Sequence, residues 1–426
     1  MKKFCVTFLS LLFVGSAWSQ TSCDEIAQNV SLAGSNYLAY PAPTKSLTPQ
    51  PKGKKPFYIS HYGRHGSRFL IDKADYYGTL ATLCKADSAG KLTETGRDVM
   101  QKVQLMCSES DNRYGELTEL GAQQHRQIAQ RMYKRFPEVF SDSCVVDAKS
   151  TVVIRCILSM ENELQELAKL NPTLKFRHDA SEHDMYYMNY ADNNLISKRS
   201  NDATRSYLDK WNKENINPTR VMSRLFNDDD YVRNNVNSRD LYFRLFRLAC
   251  ILQNSELRHT VNLFDLFDQQ EIYTLWQKHN IGWFCEFGAC ELNGATQPFT
   301  QRNLLRKMIA EADSCIMLEK PGATLRFGHE TMVLPLACLL NLNGYGKTMH
   351  PSELEKNHWY NYKIFPMGCN IQFIFYRKNI KDTDVWVKVL LNEEEATLPL
   401  QPVQGPYYRW SDVRKYYIDK LDSYKQ

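Results

Sequence analysis

Short β-type runs and amphipathic helices alternate along most of this chain, and this alternation limits the possible folds more than any other feature. Between about residues 185 and 300 the β-type runs stop, and the sequence becomes rich in Asn, Asp, Arg and aromatic residues in a helical pattern. Strands that alternate with helices predict an α/β fold. The β-type runs are Phe57–Ser60, Val145–Val146, Thr151–Ile154, Ala323–Phe327, Ile371–Phe375 and the alternating valines Val385, Val387 and Val389.

We therefore expect a central, mostly parallel sheet flanked by helices, with an inserted α-helical cap domain. Residues 20–184 and 301–426 would form the α/β core, and residues 185–300 would form the cap. The clearest helical patterns of the cap are Leu241–Gln253 and Phe264–Lys278.

One helix of the core has a clear beginning and end in the sequence. Thr118 predicts an N-cap, and Pro137 predicts the end of a helix with Ile128 and Met132 on its apolar side. Three further helices are predicted at Leu158–Leu170, Met332–Leu342 and from Ser411 onward.

The first nineteen residues are typical of a bacterial signal peptide. Lys2-Lys3 precedes the apolar run Phe4–Gly15, and small residues at Ser16–Ser19 suit a signal peptidase. Cleavage there would leave Gln20 first, so we expect export to the periplasm or out of the cell. A buried N-terminal helix is the alternative, and a lipid anchor on Cys23 lacks the apolar residue that should precede it. The apolar run is too short to span a bilayer, and no later segment has about 18 uninterrupted apolar residues.

The composition excludes several classes of protein. With 426 residues, 43% hydrophobic and 24% charged, the chain is neither a disordered tail, a collagen-like repeat nor a small disulfide scaffold. The net charge of +5 is too weak a surplus to indicate a nucleic-acid partner.

The cysteines show no metal-site spacing. Loss of Cys5 with the signal peptide would reduce their number from 12 to 11, which leaves at least one thiol unpaired unless it pairs between chains. Cys285 and Cys290 are close enough in sequence to bridge, but the sequence does not fix a connectivity. We expect few disulfides or none, with most thiols buried.

The densest chemical signal is Gly63-Arg64-His65-Gly66-Ser67-Arg68, which follows the first predicted strand. Ligands of α/β sheets bind beyond the carboxyl ends of strands. Guanidinium groups match the oxygens of a phosphate, and a histidine between them can attack phosphorus as a nucleophile. Two alternatives stay open: a metal site at His61 and His65, which the strand-and-loop context disfavours, and a chance surface pair.

A second cluster, Arg326-Phe327-Gly328-His329-Glu330-Thr331, also follows a strand and precedes an apolar helix. His329 can donate a hydrogen bond to a phosphate, and Glu330 can protonate a departing oxygen. The pattern is not a zinc-protease motif, because Val333 stands four residues after His329. Arg155 follows the run Thr151–Ile154, where an anionic ligand is one candidate partner for its charge.

These motifs, in this order, resemble the histidine phosphatase superfamily, in particular its acid-phosphatase and phytase branch. Leu117–Gly121, Arg135–Pro137 and Val333–Leu336 are similar to further family segments. The greatest similarity is to bacterial multiple inositol-polyphosphate phosphatases. Related phytases usually have His-Asp at the second cluster, and the inositol-polyphosphate branch usually has His-Ala-Glu, whereas this chain has His329-Glu330-Thr331.

The resemblance implies a role for each matching residue. His65 would be the phosphorylated nucleophile and Glu330 the proton donor. The family requires no metal or other cofactor, so none is expected here. The phosphate pocket would consist of Arg64, Arg68, Arg155 and His329.

The expected function is the hydrolysis of phosphomonoesters of inositol polyphosphates such as phytate by a monomer. Alternatives are a broad-specificity acid phosphatase, a sugar-phosphate phosphatase and a non-catalytic phosphate-ester binding protein. A highly phosphorylated substrate needs cationic contacts beyond the catalytic pocket. The sequence offers Lys52, Lys54 and Lys55 before the first strand, and Arg244 and Arg247 in the cap.

Overall fold

A computed structural model describes residues 21–141 and 144–424, so the signal-peptide prediction falls outside the described residues. The strands of this part of the chain form one central sheet in the order β3-β2-β4-β1-β5-β6-β7, with β8 also paired to β6. The α/β fold with a central sheet flanked by helices is therefore confirmed. The strands are β1 (Lys55–Arg64), β2 (Val145–Ser150), β3 (Lys175–Asp179), β4 (Gly322–Gly328), β5 (Asn370–Arg377), β6 (Trp386–Leu391), β7 (Glu394–Ala396) and β8 (Tyr408–Arg409).

The sheet is mixed, which corrects the expectation of a mostly parallel one. β3, β2, β4 and β1 run parallel, whereas β5 to β8 add to the β1 edge in antiparallel pairs. For the pair of β5 and β6, the reason is the length of the connection. Helices lie between the parallel strands, but only residues 378–385 join β5 to β6, and such a short loop can make only an antiparallel pair.

The parallel half brings three remote chain segments to one edge. Arg64 at the end of β1 pairs with Gly328 at the end of β4, and Ser150 at the end of β2 pairs with Phe327. The residues that follow are held by the same ladder, since the His65 amide donates to the Gly328 carbonyl at 3.0 Å. The segments beginning at His65, Thr151 and His329 therefore meet at this edge, the carboxyl edge.

Helices flank the sheet and fill the middle of the chain. They are α1 (Ser22–Gln28), α2 (Lys73–Ser88), α3 (Glu94–Ser110), α4 (Glu119–Arg135), α5 (Ile154–Leu170), α6 (Met185–Met188), α7 (Asn193–Arg199), α8 (Asp202–Asn215), α9 (Thr219–Leu225), α10 (Asp229–Asn235), α11 (Ser238–Ile251), α12 (Gln269–Phe287), α13 (Arg302–Cys315), α14 (Glu330–Leu340), α15 (Asn361–Ile364) and α16 (Trp410–Ser423).

Two predicted boundaries need comment. Thr118 caps α4 as predicted, and its hydroxyl accepts from the Gly121 amide. The run Thr151–Ile154 is not a strand, because β2 ends at Ser150 and α5 begins at Ile154. Ile154 is 72% exposed, so this β-branched run has no sheet neighbour to pack against. Arg155 consequently lies in the first turn of a helix rather than at a strand end.

Helices from before and within residues 185–300 share one hydrophobic cluster. Val99 and Val103 of α3 belong to the same buried cluster as Leu245 of α11 and Leu275 of α12. The division into a core and a cap of residues 185–300 remains a proposal, and the cluster indicates that the cap region is anchored on α2 and α3. Within the described ranges, no helix combines the length and apolar character needed to cross a membrane.

Candidate active site at the carboxyl edge of the sheet

His65 lies directly after β1 and is buried. Its Nδ1 is 2.9 Å from the Gly66 carbonyl oxygen, which can only accept, so Nδ1 carries the proton and Nε2 keeps its lone pair. Nε2 is buried without a hydrogen-bond partner among the described residues. Burial, and then the charges of three neighbouring arginines, hold the pKa of His65 well below its usual value. The ring is therefore neutral and presents a free nitrogen.

Arg64 is fully buried beside His65 and is fixed by backbone. Its Nη1 donates to the carbonyls of Asn36 at 2.7 Å and Phe365 at 3.0 Å. Its Nε lies 3.0 Å from Glu330 Oε2 but is not aligned as a hydrogen bond, and Nη2 has no partner in the described part of the chain. Nη1 of Arg64 is therefore held by backbone carbonyls, whereas Nη2 can still donate a hydrogen bond to a ligand.

Arg68 and Arg155 repeat this arrangement. Arg68 Nη1 donates to the Phe69 carbonyl at 2.8 Å, and Arg155 Nη1 approaches the Gly115 carbonyl at 3.5 Å. The Nε atoms of both are buried and, within residues 21–141 and 144–424, have no hydrogen-bond partner. The two arginines and Arg64 all act on the pKa of His65, which places three positive charges around one imidazole.

His329 and Glu330 face His65 from the end of β4 and the first turn of α14. The ring centroids of His65 and His329 are 5.7 Å apart, and Glu330 Oε2 is 3.8 Å from His65 Nε2. Burial lowers the pKa of His329 to about 4, although the neighbouring carboxylate opposes this shift. Burial raises the pKa of Glu330, but the charges of Arg64 and Arg68 outweigh it and lower that pKa to about 2. Glu330 is therefore ionised in the free pocket.

The combined charge of this cluster favours an anion over a metal ion. His65, His329 and Glu330 offer ligand atoms that all lie within 4.8 Å of one another, a spacing that a cation could use. The charges of three guanidinium groups act on this cluster, however, and within the described residues Glu330 is its one carboxylate. A cation would be repelled, whereas guanidinium N–H groups match the oxygens of a phosphate.

Lys52, Lys54 and Lys55 lie at the opposite end of β1, and this corrects the expectation that they contact the ligand. The strand has 10 residues, so its ends are about 30 Å apart. The Lys54 ammonium is buried and paired with Asp382 at 2.9 Å. The sequence places these lysines near the motif, but a strand carries its two ends to opposite edges of the sheet.

Ser159 supports the site and was missed in the sequence. Its hydroxyl accepts from the Gly66 amide at 3.1 Å and donates to the Arg155 carbonyl at 2.8 Å. The Gly66 carbonyl also accepts the hydrogen bond from His65 Nδ1. Ser159 therefore connects the His65 loop to the helix that carries Arg155. Its position one helical turn after Arg155 could have indicated this role. The strand predicted over 151–154 hid the fact that both residues belong to one helix.

Gly66 allows the close packing of this loop. A Cβ at position 66 would lie 2.4 Å from the Gly121 carbonyl oxygen, so a side chain there would push the loop away from α4. The following residue is held by a buried network, in which the Ser67 amide and hydroxyl bond to Gln124 and the hydroxyl also bonds to Asn254. The loop between His65 and Arg68 is thus held by α4, by α5 through Ser159, and by Asn254.

Thr151 and Cys156, which both follow β2 in the chain, contact His329. Thr151 Oγ1 lies 3.3 Å from His329 Nε2, and the buried Cys156 sulfur lies 3.8 Å from both ring nitrogens. These contacts hold the imidazole of His329, and they come from the segment that begins at Thr151 and contains Arg155 and Cys156.

A comparison with family models matches residues 63–392 to the model described as the histidine phosphatase superfamily (branch 2). No curated protein is similar to the chain at a significant level. The structural neighbours have low sequence identity, so they bear on the fold alone.

Three solved structures illustrate this likeness. A Bifidobacterium longum multiple inositol polyphosphate phosphatase in complex with inositol hexasulfate has a TM-score of 0.76 at 18% identity, covering 90% of this chain and 97% of that one. A phytase from D. castellii has a TM-score of 0.68 at 14% identity, covering 92% and 86%. A Hafnia alvei phytase in complex with myo-inositol hexakis sulphate has a TM-score of 0.54 at 11% identity, covering 87% and 98%.

The contact made by Ser159 predicts a measurable loss of anion binding. Ser159→Ala leaves the buried Gly66 amide without an acceptor, which costs about 1–3 kcal/mol. We expect the affinity for inorganic phosphate, measured by calorimetry, to fall about tenfold because the His65 loop shifts. Ser108→Ala is the matched control, since that hydroxyl bonds only to Gln104 of its own helix. Equal affinities in both variants would contradict the role of Ser159.

Proposed function

The chain belongs to branch 2 of the histidine phosphatase superfamily, and from this membership we propose that it is an exported phosphatase that hydrolyses inositol polyphosphates such as phytate through a phosphohistidine. One observation carries the proposal: the unprotonated Nε2 of His65 is enclosed by three guanidinium groups and faces Glu330. The names of the structural neighbours, phytases and an inositol polyphosphate phosphatase, support the substrate class.

The first chemical step is the transfer of the phosphoryl group to His65. Arg64, Arg68, Arg155 and His329 bind the phosphate oxygens and offset their charge. The Nε2 lone pair attacks phosphorus, and the bond from phosphorus to the ester oxygen breaks. Glu330 donates its proton to that oxygen, which leaves as an alcohol.

The second step regenerates the enzyme. A water molecule gives a proton to the Glu330 carboxylate and attacks phosphorus, and the bond from His65 Nε2 to phosphorus breaks. Inorganic phosphate leaves, Glu330 releases its proton to solvent, and His65 is again neutral with a free Nε2. Because the hydrogen bond to Gly66 keeps the proton on Nδ1, the same nitrogen is available for each turnover.

Binding of the substrate allows Glu330 to take up from solvent the proton that it later donates. In the free pocket the arginine charges lower the Glu330 pKa to about 2, so the group cannot act as an acid near neutral pH. A bound phosphate dianion shares the field of the same arginines and brings negative charge close to the carboxylate. Both effects raise the pKa of Glu330, and protonation is thereby coupled to occupancy of the pocket.

A cationic surface in the region of residues 185–300 fits a substrate with several phosphates. Arg239 and Lys278 both lie over the Phe243 ring, with Lys278 Nζ 4.5 Å from its centroid. Arg247, which follows on α11, pairs with Asp75 at 2.5 Å. Arg244 is paired with Asp240 within its own helix, so it is less available than Arg239 and Lys278.

Tyr37 links this surface to the phosphate pocket. The Arg68 guanidinium lies 5.7 Å from the Tyr37 ring centroid. Burial raises the pKa of Tyr37, while the charges of Arg68 and Arg247 oppose that shift. We propose that phosphates not undergoing hydrolysis contact Arg239 and Lys278.

Export as a monomer to the periplasm or the medium is part of the proposal and is supported by the basic and apolar pattern of residues 1–19. The alternatives are a broad-specificity acid phosphatase, a sugar-phosphate phosphatase and a non-catalytic binding protein. Turnover of phytate, glucose 1-phosphate and an aryl phosphate by the same preparation separates the first two from an inositol polyphosphate phosphatase. Tight binding of phytate without phosphate release would identify the third.

The nucleophile assignment is tested by His65→Ala. Without Nε2 no phosphohistidine can form, so we expect phosphate release from phytate to fall by about 10³-fold or more. A rapid alkaline quench, which preserves phosphoramidates, should trap phosphate on the wild-type chain and not on the variant. His178→Ala, at an exposed histidine paired with Glu161, is the control. Turnover that survives in His65→Ala would rule out the proposed mechanism.

The donor assignment is tested by Glu330→Gln, which keeps the shape of the side chain and removes the acid. Phytate has an alkoxide leaving group that needs a proton, whereas p-nitrophenolate departs without one. We expect kcat to fall by about 10²–10⁴-fold on phytate and much less on p-nitrophenyl phosphate. Glu94→Gln, on the exposed first turn of α3, is the control. Equal slowing on both substrates would remove Glu330 from this role.

The substrate-binding assignment is tested by the double change Arg239→Ala and Lys278→Ala. The loss of two cationic contacts should raise the KM for phytate about tenfold, roughly 1.4 kcal/mol. The KM for p-nitrophenyl phosphate should not change, because that substrate has no second phosphate. Lys55→Ala, at the opposite end of β1, is the control. A parallel rise for both substrates would show that the pair acts on the pocket itself.

A further inference from the structure

Two cysteine sulfurs meet at the end of α12. Cys285 lies in the last turn of that helix, Cys290 follows it, and their Sγ atoms are 3.8 Å apart. Both side chains are fully buried. Among the cysteines of residues 21–141 and 144–424, Cys285 and Cys290 are the two whose sulfurs contact each other.

Two hydrogen bonds hold the backbone around the pair. The side-chain amide of Asn293 donates to the Cys285 carbonyl, which returns the chain towards the helix end. The Glu291 amide donates to the Met349 carbonyl at 3.0 Å, which fixes the turn to a second segment. Disulfide sulfurs are about 2.05 Å apart, so the two sulfurs need to approach by less than 2 Å.

We propose that Cys285 and Cys290 form a disulfide while the chain folds in an oxidising compartment. One of the two cysteines, as its thiolate, attacks a sulfur of a disulfide oxidant, such as glutathione disulfide or an oxidised dithiol protein, and releases one thiolate. The thiolate of the other cysteine then attacks the sulfur of the first and releases the second thiolate. Two protons leave the cysteines, and the oxidant takes up the two electrons.

The burial of both thiols determines when the bond can form. Since both sulfurs are inaccessible in the folded protein, the oxidant must act before α12 and the turn pack together. The inference rests on the proposed export and not on the proposed phosphatase activity.

The disulfide would stabilise a part of the fold that packs against α14, the helix that carries Glu330. It would join α12 to the turn that leads into the short helix Gln297–Gln301, and this helix packs against α14. Cys285 and Cys290 belong to the same buried cluster as Val333 and Leu336 of α14. Glu330 begins that helix, so the bond would stabilise the scaffold of the site without contact to the ligand.

Peptide mass spectrometry tests the bond directly. Trypsin releases residues 279–302 as one peptide, because no Lys or Arg lies between Lys278 and Arg302. Full-length protein is refolded with glutathione and glutathione disulfide, unfolded, and alkylated without reduction. We expect the peptide to remain unalkylated and to be lighter by two hydrogen atoms, and to gain two alkyl groups after reduction. Two alkyl groups in the unreduced sample would overturn the proposal, whatever the outcome of the activity assays.

Thermal unfolding gives a second test. In oxidising buffer, Cys285→Ser with Cys290→Ser should lower the Tm by about 2–5 °C, and reduction should bring the wild type close to the variant. Cys84→Ser, at an exposed cysteine, is the control. Should the serine pair fail to fold, Cys285→Ala with Cys290→Ala replaces it without burying hydroxyl groups. A Tm difference that is equal in both buffers would contradict the bond.

Discussion

Three guanidinium groups lie around one imidazole in a space almost closed to water, and the rest of the site depends on how this positive charge is held. Buried charges are stable only when they are paired or hydrogen-bonded. Backbone carbonyls of Asn36 and Phe365 hold Arg64, and Glu330 is its counter-ion. In the described part of the chain, Arg64 Nη2 and the Nε atoms of Arg68 and Arg155 have no hydrogen-bond partner, so they can donate to the oxygens of an anion. The same charges keep His65 neutral and Glu330 ionised.

Backbone hydrogen bonds set the geometry within which these charges act. The ladder between β1 and β4 places His65 beside His329, and the Gly66 carbonyl selects the tautomer of His65. The hydrogen bond from the Gly66 amide to Ser159 fixes the His65 loop to the helix that carries Arg155. A histidine that keeps one proton and one free lone pair needs such a fixed acceptor, because a rotating ring would present either nitrogen. The nucleophile is therefore defined by main-chain geometry as much as by its own side chain.

In the proposed function, the chemistry and the recognition of the rest of the substrate depend on different parts of the fold. The parallel half of the sheet supplies His65, Arg64 and the segment before Arg155, while helices α11 and α12 supply Arg239 and Lys278. The buried cluster shared by α3, α11 and α12 anchors the cationic surface on the framework that precedes β2. Substitutions on that surface can change which anions bind without moving the reacting groups.

The sequence by itself determined the α/β fold, the N-cap of α4 and the residues that meet at the carboxyl edge, because these depend on local patterns and on the rule that parallel strands end at one edge. It could not determine the antiparallel half of the sheet, the end of β2 or the position of Lys54, since each depends on pairing between distant segments. Nor could it identify Ser159, whose role arises only when α5 packs against the His65 loop. Only the tertiary structure decided these points, because a hydrogen bond or an ion pair between remote residues leaves no periodic pattern in the sequence.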